Sequence, residues 1–303
     1  MQEQLSKIQY IKQNSKMKKK ISLFIIIFIS FHCFSSEISS VEAKANFETS
    51  IRNISEENEA VKKEWNGFKI KEATLNGVDY KVVFPKKANA SKNWIWRARF
   101  WGGHEPQTDI ALLNAGFHVV YIEVANLFGS PKAVNIWNEF YDFIIKKYKL
   151  NPKVVLEGMS RGGLIIFNWA NQNAEKVACI YADAPVCDFK SWPAGQGTGD
   201  GSKKAWEACL VSYDFTEEVA SQFSGNPINH MEYIAVQKVP ILIVVGDVDK
   251  VVPVAENSAL LEERLNSLGW ELNMIHKPEV GHHPHSLKDP KPIVDFILKV
   301  TNP

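Results

Sequence analysis

A serine stands in a glycine-rich turn near the middle of this 303-residue sequence. Ser160 belongs to the segment Gly-Met-Ser-Arg-Gly-Gly, which directly follows the apolar stretch KVVLE and directly precedes the apolar stretch LIIFNWA. A strand that turns sharply into a helix raises the side chain between them above the sheet, and Gly158 and Gly162 are expected to make room for that turn. The free N–H groups at the start of the helix favour developing negative charge there. The pattern predicts a nucleophilic serine.

A serine nucleophile needs a base that takes its proton and an acid that orients the base. Downstream of the serine, the apolar stretch ILIVV runs into two aspartates, and a later loop carries the segment Gly-His-His-Pro-His. An acid that follows a parallel strand lies at the carboxyl edge of the sheet, where the serine must also lie. The residues alone leave several candidates: Asp247 and Asp249 for the acid, and His282, His283 and His285 for the base.

The three neighbouring histidines also raise the question of a metal site. They lack the i, i+4 spacing that places two ligands on one face of a helix, and no cysteine or carboxylate completes an evident ligand set. The sequence therefore predicts no metal, and no cofactor is expected.

The elements around these motifs predict an α/β domain with a mostly parallel central sheet and helices on both faces. The predicted strands are 68–73, 79–84, 94–101, 117–124, 153–157, 177–182, 241–245 and 272–276, with the hairpin turn Asn76-Gly77 between the first two. Helices are predicted at 106–114, 132–148, 162–171, 256–268 and 292–300. The alternation of predicted strands and helices is interrupted at about residues 183–237. We expect this excursion to form a cap over the serine; a tolerated surface insertion is the alternative.

The first 36 residues differ from the rest of the chain. Three lysines after Met17 precede the apolar run from Ile21 to Phe31, which is shorter than the roughly 20 apolar residues of a membrane-spanning helix. This arrangement is typical of a secretory signal peptide, so residues 1–36 are expected to be removed. The protein is then secreted or periplasmic, without stable membrane insertion; a retained anchor is the alternative. Residues 37–64 are expected to form a polar leader, and residues 65–303 the α/β domain with its cap.

Charge and cysteine content narrow the range of partners. The chain has 35 basic and 34 acidic residues, and loss of residues 1–36 removes six lysines and one glutamate, which leaves a net charge of −4. Without a basic stripe, nucleic acid is not an expected partner. In an oxidising compartment Cys187 and Cys209 are the plausible disulfide pair, and Cys179 is expected in the core. Three free thiols are the alternative.

With the serine, the aspartates and the histidines in this order, the sequence resembles the α/β-hydrolase superfamily over roughly residues 65–301. It is most similar to the prolyl-oligopeptidase-like and dienelactone-hydrolase-like branch, which includes exported bacterial carbohydrate esterases. The resemblance implies a triad of Ser160, Asp249 and His282, because these enzymes use the acid three residues after glycine in a Gly-x-x-Asp-x-x-Val-Pro loop and the histidine directly after glycine in a Gly-His-x-Pro-His turn. His283 is the alternate base, and His285 is expected to hold the loop.

The same resemblance implies an oxyanion hole and a substrate site beside the serine. One backbone donor is Arg161, and the second is expected at Trp101 or Gly102, in the loop after the third strand. The segment Trp-Gly-Gly-His there departs from the His-Gly-Gly motif of many lipases and esterases, which leaves the second donor open. The candidates for substrate contact are His104, Trp192 and the side chain of Arg161. A tryptophan stacks on sugars, and an arginine pairs with an anionic group such as a uronate, or with the cap.

These features predict a serine esterase, that is, a carboxylic-ester hydrolase that acts through an acyl-enzyme. Its expected substrate is a small-molecule or polysaccharide ester, such as an acetyl or methyl ester on a decorated carbohydrate. A serine peptidase of the prolyl-oligopeptidase-like type is the first alternative. A non-catalytic binding protein with the same fold is the second, which the complete set of serine, aspartate and histidine disfavours.

Overall fold

Eight strands form one mixed sheet in the computed structural model, which describes residues 64–301 as part of one compact unit. The order across the sheet is β1-β2-β4-β3-β5-β6-β7-β8. The first two pairings, β1 with β2 and β2 with β4, are antiparallel, and all later pairings are parallel. The strands are β1 (Ile70–Leu75), β2 (Val78–Val83), β3 (Trp94–Arg97), β4 (His118–Ile122), β5 (Val154–Met159), β6 (Val177–Asp183), β7 (Ile241–Gly246) and β8 (Asn273–Lys277). The predicted mostly parallel sheet is confirmed.

Helices cover both faces of this sheet, as expected for the fold class. They are α1 (Gln107–Asn114), α2 (Pro131–Tyr148), α3 (Gly162–Asn173), α4 (Lys203–Tyr213), α5 (Glu217–Gln222), α6 (Glu232–Val236), α7 (Ser258–Ser267) and α8 (Lys291–Thr301). Helices α2, α3 and α7 contribute to one apolar cluster, while α1 and α8 contribute to the other. Within residues 64–301, no helix combines the length and the apolar character needed to cross a bilayer.

Strand β3 shows how the alternation of side chains builds the two clusters. Trp94 and Trp96 point to the face covered by α2 and α3, where the Trp96 ring stacks on Trp137 at 3.9 Å between centroids. Ile95 lies in the opposite cluster. The strand ends at Arg97, four residues before its predicted end, because the chain leaves the sheet and Phe100 takes a left-handed φ of 60°.

The excursion between β6 and β7 packs at the carboxyl edge of the sheet. It contains α4, α5 and α6, and its buried residues form a third apolar cluster with residues that follow β4, β5 and β7, namely Phe128, Leu164 and Val252. The Tyr213 hydroxyl donates to the Phe128 carbonyl at 3.0 Å, and Ser212 Oγ donates to the Asn126 carbonyl at 3.1 Å. These contacts keep the excursion on the same edge as Ser160.

The cysteines and the N-terminal segment complete the comparison with the sequence. Cys179, Cys187 and Cys209 are buried free thiols, so the Cys187–Cys209 disulfide does not form and the alternative with free thiols describes the chain. Burial raises the pKa of each of these thiols. The predicted signal peptide at residues 1–36 and the predicted leader, except residue 64, lie outside the described residues.

Candidate active site

Ser160 occupies the turn between β5 and α3. Its φ of 50° lies in the left-handed region, which strains a residue that has a side chain. Three backbone hydrogen bonds, each 2.9 Å long, hold it there: its N–H donates to the Asp183 carbonyl, and its carbonyl accepts from the N–H groups of Gly163 and Val186. The turn is thus fixed by β6 and by the chain that follows β6.

Two glycines are sterically required in this turn, and one of them is not the glycine expected from the sequence. A Cβ at Gly158 would lie 2.5 Å from the Ile166 side chain. A Cβ at Gly162 would meet nothing closer than 3.5 Å, which is ordinary contact. At Gly163, however, a Cβ would lie 2.7 Å from the Val186 carbonyl oxygen. The expectation for Gly162 is therefore corrected, because the excursion after β6 crowds Gly163 instead.

His282 links Ser160 to Asp249. Its Nε2 lies 2.9 Å from Ser160 Oγ, and its Nδ1 lies 2.7 Å from Asp249 Oδ2. The other carboxylate oxygen, Asp249 Oδ1, accepts the N–H groups of Val251 and Val252 at 2.8 and 2.9 Å. Ser160, His282 and Asp249 are all buried. Both distances lie within the range that allows a histidine to take a proton from a hydroxyl while a carboxylate orients the ring.

The loops that carry Asp249 and His282 meet at two glycines. A Cβ on Gly246, the last residue of β7, would lie 2.2 Å from the Gly281 carbonyl oxygen, so only glycine permits this approach. The neighbouring aspartate, Asp247, points elsewhere: its Oδ1 lies 2.6 Å from His276 Nδ1, in a pair of exposed side chains. The geometry therefore separates the two candidate acids and brings Asp249 to His282.

A second histidine–aspartate pair anchors the loop that carries His282. His285 Nδ1 lies 2.7 Å from Asp183 Oδ1, and the Ser286 N–H donates to Asp183 Oδ2 at 2.8 Å. The His285 ring contacts the His282 ring edge-on at 4.9 Å between centroids. Sequence reasoning gave His285 a loop-holding hydrogen bond but missed Asp183. The signal was a carboxylate at the end of the buried stretch VACIYAD, since a buried charge needs a partner.

His283, the alternate base, is exposed and stacks edge-on against its neighbours. Desolvation, followed by the neighbouring His285 and His282, lowers its pKa. The possible ligand atoms of the three histidines lie within 4.8 Å of one another. Carboxylates already occupy Nδ1 of His282 and of His285, and Ser160 occupies Nε2 of His282. These contacts favour His282 as the base and leave no preformed set of three free nitrogens.

The oxyanion side of the turn is formed by the start of α3 and the loop after β3. Arg161 precedes the first helical residue, so its N–H has no acceptor within the helix. The Trp101 ring packs against another tryptophan at 5.0 Å between centroids, and Gly102 is exposed. A Cβ at Gly162 would lie 3.5 Å from the Cβ atoms of both Ala98 and Arg99, so the start of this loop packs against the start of α3. A second donor at Trp101 or Gly102 stays a prediction.

The side chains of Arg161 and Trp192, two candidates for substrate contact, touch each other. The Arg161 guanidinium lies 5.4 Å from the Trp192 ring centroid and 5.0 Å from that of Phe128, and Arg161 Nη1 donates to Asn126 Oδ1 at 3.3 Å. Desolvation, followed by repulsion from Arg99, lowers the pKa of Arg161 to about 10. Trp192 therefore lies at the rim next to the residue that follows the serine.

His104, the third candidate, contacts a buried ion pair. Arg97 Nη1 lies 2.5 Å from Asp109 Oδ2, and both His104 ring nitrogens lie within 2.9 Å of Arg97 Nη2. Desolvation and the charge of Arg97 lower the pKa of His104 to about 3, so its ring is neutral at physiological pH. Asp109 is the ion-pair partner of Arg97, and His104 contacts Arg97 and, edge-on, the His285 ring at 6.4 Å between centroids.

A buried acid on β5 adjoins the same ion pair. Glu157 precedes Ser160 by three residues and lies beside Arg97 in the register of β3 and β5. Desolvation, then repulsion from Asp109, raises the pKa of Glu157 well above its usual value, and Arg97 opposes this shift. No group among residues 64–301 donates a hydrogen bond to its carboxyl oxygens. Burial therefore favours the protonated form of Glu157 more strongly than that of an exposed glutamate.

Three features define a serine hydrolase of the α/β-hydrolase fold. They are the order of the strands in the sheet, the left-handed backbone conformation of Ser160, and the hydrogen bonds that link Ser160 through His282 to Asp249. Residues 139–303, more than half of the chain, match the prolyl oligopeptidase family. The chain belongs to that family.

Two solved structures illustrate the similarity in fold. A puromycin-hydrolyzing peptidase from Mycobacterium tuberculosis is 12% identical, with a TM-score of 0.61 over 78% of this chain and 40% of that one. An acylaminoacyl peptidase from Pyrococcus horikoshii is 14% identical, with a TM-score of 0.52 over 71% of this chain and 37% of that one. The chain thus spans about two fifths of these proteins. No curated protein sequence matches it.

Proposed function

We propose that this protein is a serine peptidase that hydrolyses an amide bond in a peptide or an acylated amino acid. The observation that carries the proposal is the continuous chain of hydrogen bonds from Ser160 through His282 to Asp249. Membership of the prolyl oligopeptidase family supports a peptidase over the carbohydrate esterase expected from the sequence. The fold shared with the puromycin-hydrolyzing peptidase and the acylaminoacyl peptidase supports the same assignment.

In the proposed mechanism, Ser160 Oγ attacks the scissile carbonyl while its proton passes to His282 Nε2. Collapse of the tetrahedral intermediate breaks the C–N bond, and His282 gives the proton to the departing amine. Water then attacks the acyl-Ser160 ester, loses a proton to His282 and releases the carboxylic acid, and the proton returns to Ser160. Asp249 holds the ring through Nδ1 and stabilises the imidazolium that forms in each half of the cycle.

The oxyanion of each intermediate is proposed to bind the backbone N–H of Arg161, at the start of α3. A free first-turn N–H and the positive end of the helix dipole both favour negative charge at that point. A second donor is expected from the loop after β3. Because Ser160 is held in a strained backbone conformation, its hydroxyl is positioned before substrate binds.

The test compares amide and ester substrates in the same protein. Purified protein is assayed with acylaminoacyl p-nitroanilides, with p-nitrophenyl esters of the same acids, and with acetylated and methylated polysaccharides. Cleavage of the anilides supports the proposal if Ser160→Ala lowers its rate by about 10⁶-fold and also abolishes fluorophosphonate labelling. Cleavage of the polysaccharide esters without any anilide cleavage contradicts the peptidase assignment and favours an esterase.

An ester on a decorated carbohydrate remains the second candidate, supported by one observation. Trp192 presents an aromatic side chain beside Arg161, and aromatic faces of this kind stack on sugar rings. We propose that the excursion after β6 acts as a cap that sets substrate choice through this residue. Trp192→Ala should raise KM several-fold on an extended substrate and leave p-nitrophenyl acetate nearly unchanged. Equal losses on both substrates would indicate a folding role for Trp192.

Export is also a proposal, supported by the signal-like composition of residues 1–36. The measurement is fractionation of cells that express the C-terminally tagged chain, with a variant that lacks residues 17–36 as the control. Processed protein outside the cytoplasm, absent for the control, is the expected result. Unprocessed protein in the cytoplasm for both forms would contradict export.

A further inference from the structure

Arg99 lines a cleft in the loop after β3, and Arg161, the residue after Ser160, contacts the cleft residue Asn126 through its guanidinium. Among residues 64–301, neither arginine has a carboxylate partner within ion-pair distance. Arg99 and Arg161 come from the loop after β3 and from the residue after the serine, respectively. Their charges repel each other, and this repulsion contributes to the lowered pKa of Arg161. The cleft that Arg99 lines has a volume of about 500 Å³ and also contains Asn126, which binds the Arg161 guanidinium.

The contacts of both guanidinium groups are neutral ones. Arg99 lies over the Phe100 ring at 4.4 Å, and its Nη1 donates to the Ala125 carbonyl at 3.3 Å. Its Nε is buried and has no hydrogen-bond partner within the described part of the chain. The Arg161 guanidinium lies near the Phe128 and Trp192 rings. Both groups are partly desolvated, and burial is the largest cause of their lowered pKa values.

The acids of this cleft are already engaged or remote. Glu123 raises the pKa of both arginines, but its carboxylate accepts hydrogen bonds from the Tyr121 hydroxyl and, at 2.9 Å, from the Ala125 N–H. Asp79, which also lines the cleft, is exposed to solvent, and Lys81 is paired with Glu72. Two partly buried cations therefore share one occupied carboxylate. A charge in a partly desolvated site is energetically unfavourable unless an opposite charge pairs with it.

We infer that the substrate carries a carboxylate, which Arg99 and Arg161 bind when the scissile carbonyl reaches Ser160. The inference rests on the proposed function, because it takes Ser160 as the nucleophile. Arg161 adjoins Ser160 in the chain, and the Cβ of Arg99 lies against the first residue of α3. The arginine fork matches the two oxygens of a carboxylate, which an isosteric amide does not replace. The substrate class is thus an anionic peptide or acyl amino acid.

The test uses substrate pairs that differ only in one charge. The first pair is the p-nitroanilide of N-acetylglutamate and that of N-acetylglutamine, with the corresponding p-nitrophenyl esters. The second pair carries the charge on the leaving side, in acetyl-Ala-Glu and acetyl-Ala-Gln amides. In the wild-type protein, kcat/KM should be about tenfold to a hundredfold higher for the anionic member of at least one pair, mainly through KM.

Variants then assign this preference to the two arginines. Arg99→Met and Arg161→Met keep an apolar chain and remove the charge, so the ratio of kcat/KM between the anionic and neutral members should fall toward one. Arg264→Met is the matched control, because Arg264 pairs with Glu232 in an exposed ion pair, and this variant should keep the wild-type ratio. A wild-type ratio near one for both pairs overturns the inference. So does a ratio that both cleft variants retain.

A binding measurement separates this inference from the proposed function. Calorimetry on Ser160→Ala, which needs no turnover, compares the amides of N-acetylglutamate and N-acetylglutamine. Tighter binding of the anionic amide, lost when Arg161→Met is added, supports the anion site even if neither anilides nor esters are cleaved. Equal binding of the two amides overturns it, whether or not the protein proves to be a peptidase.

Discussion

His282 and His285 lie three residues apart in one loop, and each directs Nδ1 to a buried carboxylate at 2.7 Å. Their surroundings differ at the other ring nitrogen. His282 Nε2 meets Ser160 Oγ, whereas His285 Nε2 is buried and has no hydrogen-bond partner among residues 64–301. The same pair of residue types is thus prepared for proton transfer in one case and fixes a loop in the other. What faces Nε2 makes the difference.

The two carboxylates also differ in the elements that hold them. Asp249 lies in the loop after β7, and one of its oxygens binds two backbone N–H groups of that loop. Asp183 is the last residue of β6, and its backbone carbonyl accepts the N–H of Ser160. One residue of β6 therefore supports both the serine turn and the histidine loop. The pair that has no nucleophile positions the pair that has one.

The largest expected effect separates the two histidines. His282→Ala should lower kcat by about 10⁶-fold on any substrate, because the serine loses its base. His285→Ala should lower kcat by only about 10- to 100-fold and should destabilise the protein by about 1–3 kcal/mol, because Asp183 loses a buried partner. The measurements are steady-state kinetics and thermal unfolding of both variants.

His283→Ala is the internal control for this comparison, since His283 is the exposed histidine of the same loop. It should retain activity within a few-fold of wild type. If His283→Ala proves as damaging as His282→Ala, with both variants folded, the role of base passes to His283.

The next largest effect separates the two carboxylates. Asp249→Asn should lower kcat by about 10⁴-fold with little loss of stability, because an amide oxygen still accepts the loop N–H groups but no longer stabilises the imidazolium. Asp183→Asn should act mainly on stability, since the Ser286 N–H and the His285 ring share that carboxylate. Unfolding free energies and kcat values check both. Equal losses of kcat in two stable variants would show that both pairs take part in proton transfer.

The sequence predicted the catalytic pair and largely missed the supporting one, and the reason is physical. Local patterns revealed the serine turn and the two loops, because glycines and an apolar strand mark such turns. Asp183 and Asp109 act through residues far away in the chain, so the burial that requires partners for them is visible only in three dimensions. The crowding at Gly163 likewise arises from Val186, which belongs to the excursion after β6.

Helix and strand positions were well predicted where apolar periodicity was strong, as in α2 and β7. The end of β3 was not, because Trp101 and its neighbours are apolar enough to continue a strand while the chain leaves the sheet at Arg97. The sequence offered only Arg161 as a candidate for binding an anionic group. Arg99 lies 62 positions earlier in the chain, and nothing local indicates that the two side chains lie near each other.

Glu157, the buried acid on β5, should make the stability of the protein depend on pH. Burial raises its pKa in the folded state, so the folded state binds the proton more tightly than the unfolded state. This stabilising contribution is complete below the unfolded pKa and is lost as the pH rises toward the folded pKa. Glutamine does not ionise, so Glu157→Gln does not lose stability in this way as the pH rises. The Tm of this variant minus that of wild type should therefore increase between pH 5 and pH 8. The exposed Glu271→Gln is the control; an increase no larger than the control's would mean that Glu157 is ionised in the folded protein.

The smallest expected effect belongs to a third histidine–aspartate pair, which extends the comparison to the surface. Asp247 and His276 are 2.6 Å apart, but both side chains are more than a third exposed, at 37% and 53%. Water screens such a pair, and exposed ion pairs contribute only about 0.2–1 kcal/mol. Asp247→Asn should therefore change kcat less than twofold and leave Tm within about a degree, although Asp247 lies only two residues from Asp249. A loss of kcat above about 100-fold in folded Asp247→Asn would transfer the role of the acid to Asp247, because removing a triad carboxylate has effects of that size or larger. Burial and the group that faces Nε2 would then no longer explain why the three histidine–aspartate pairs have different roles.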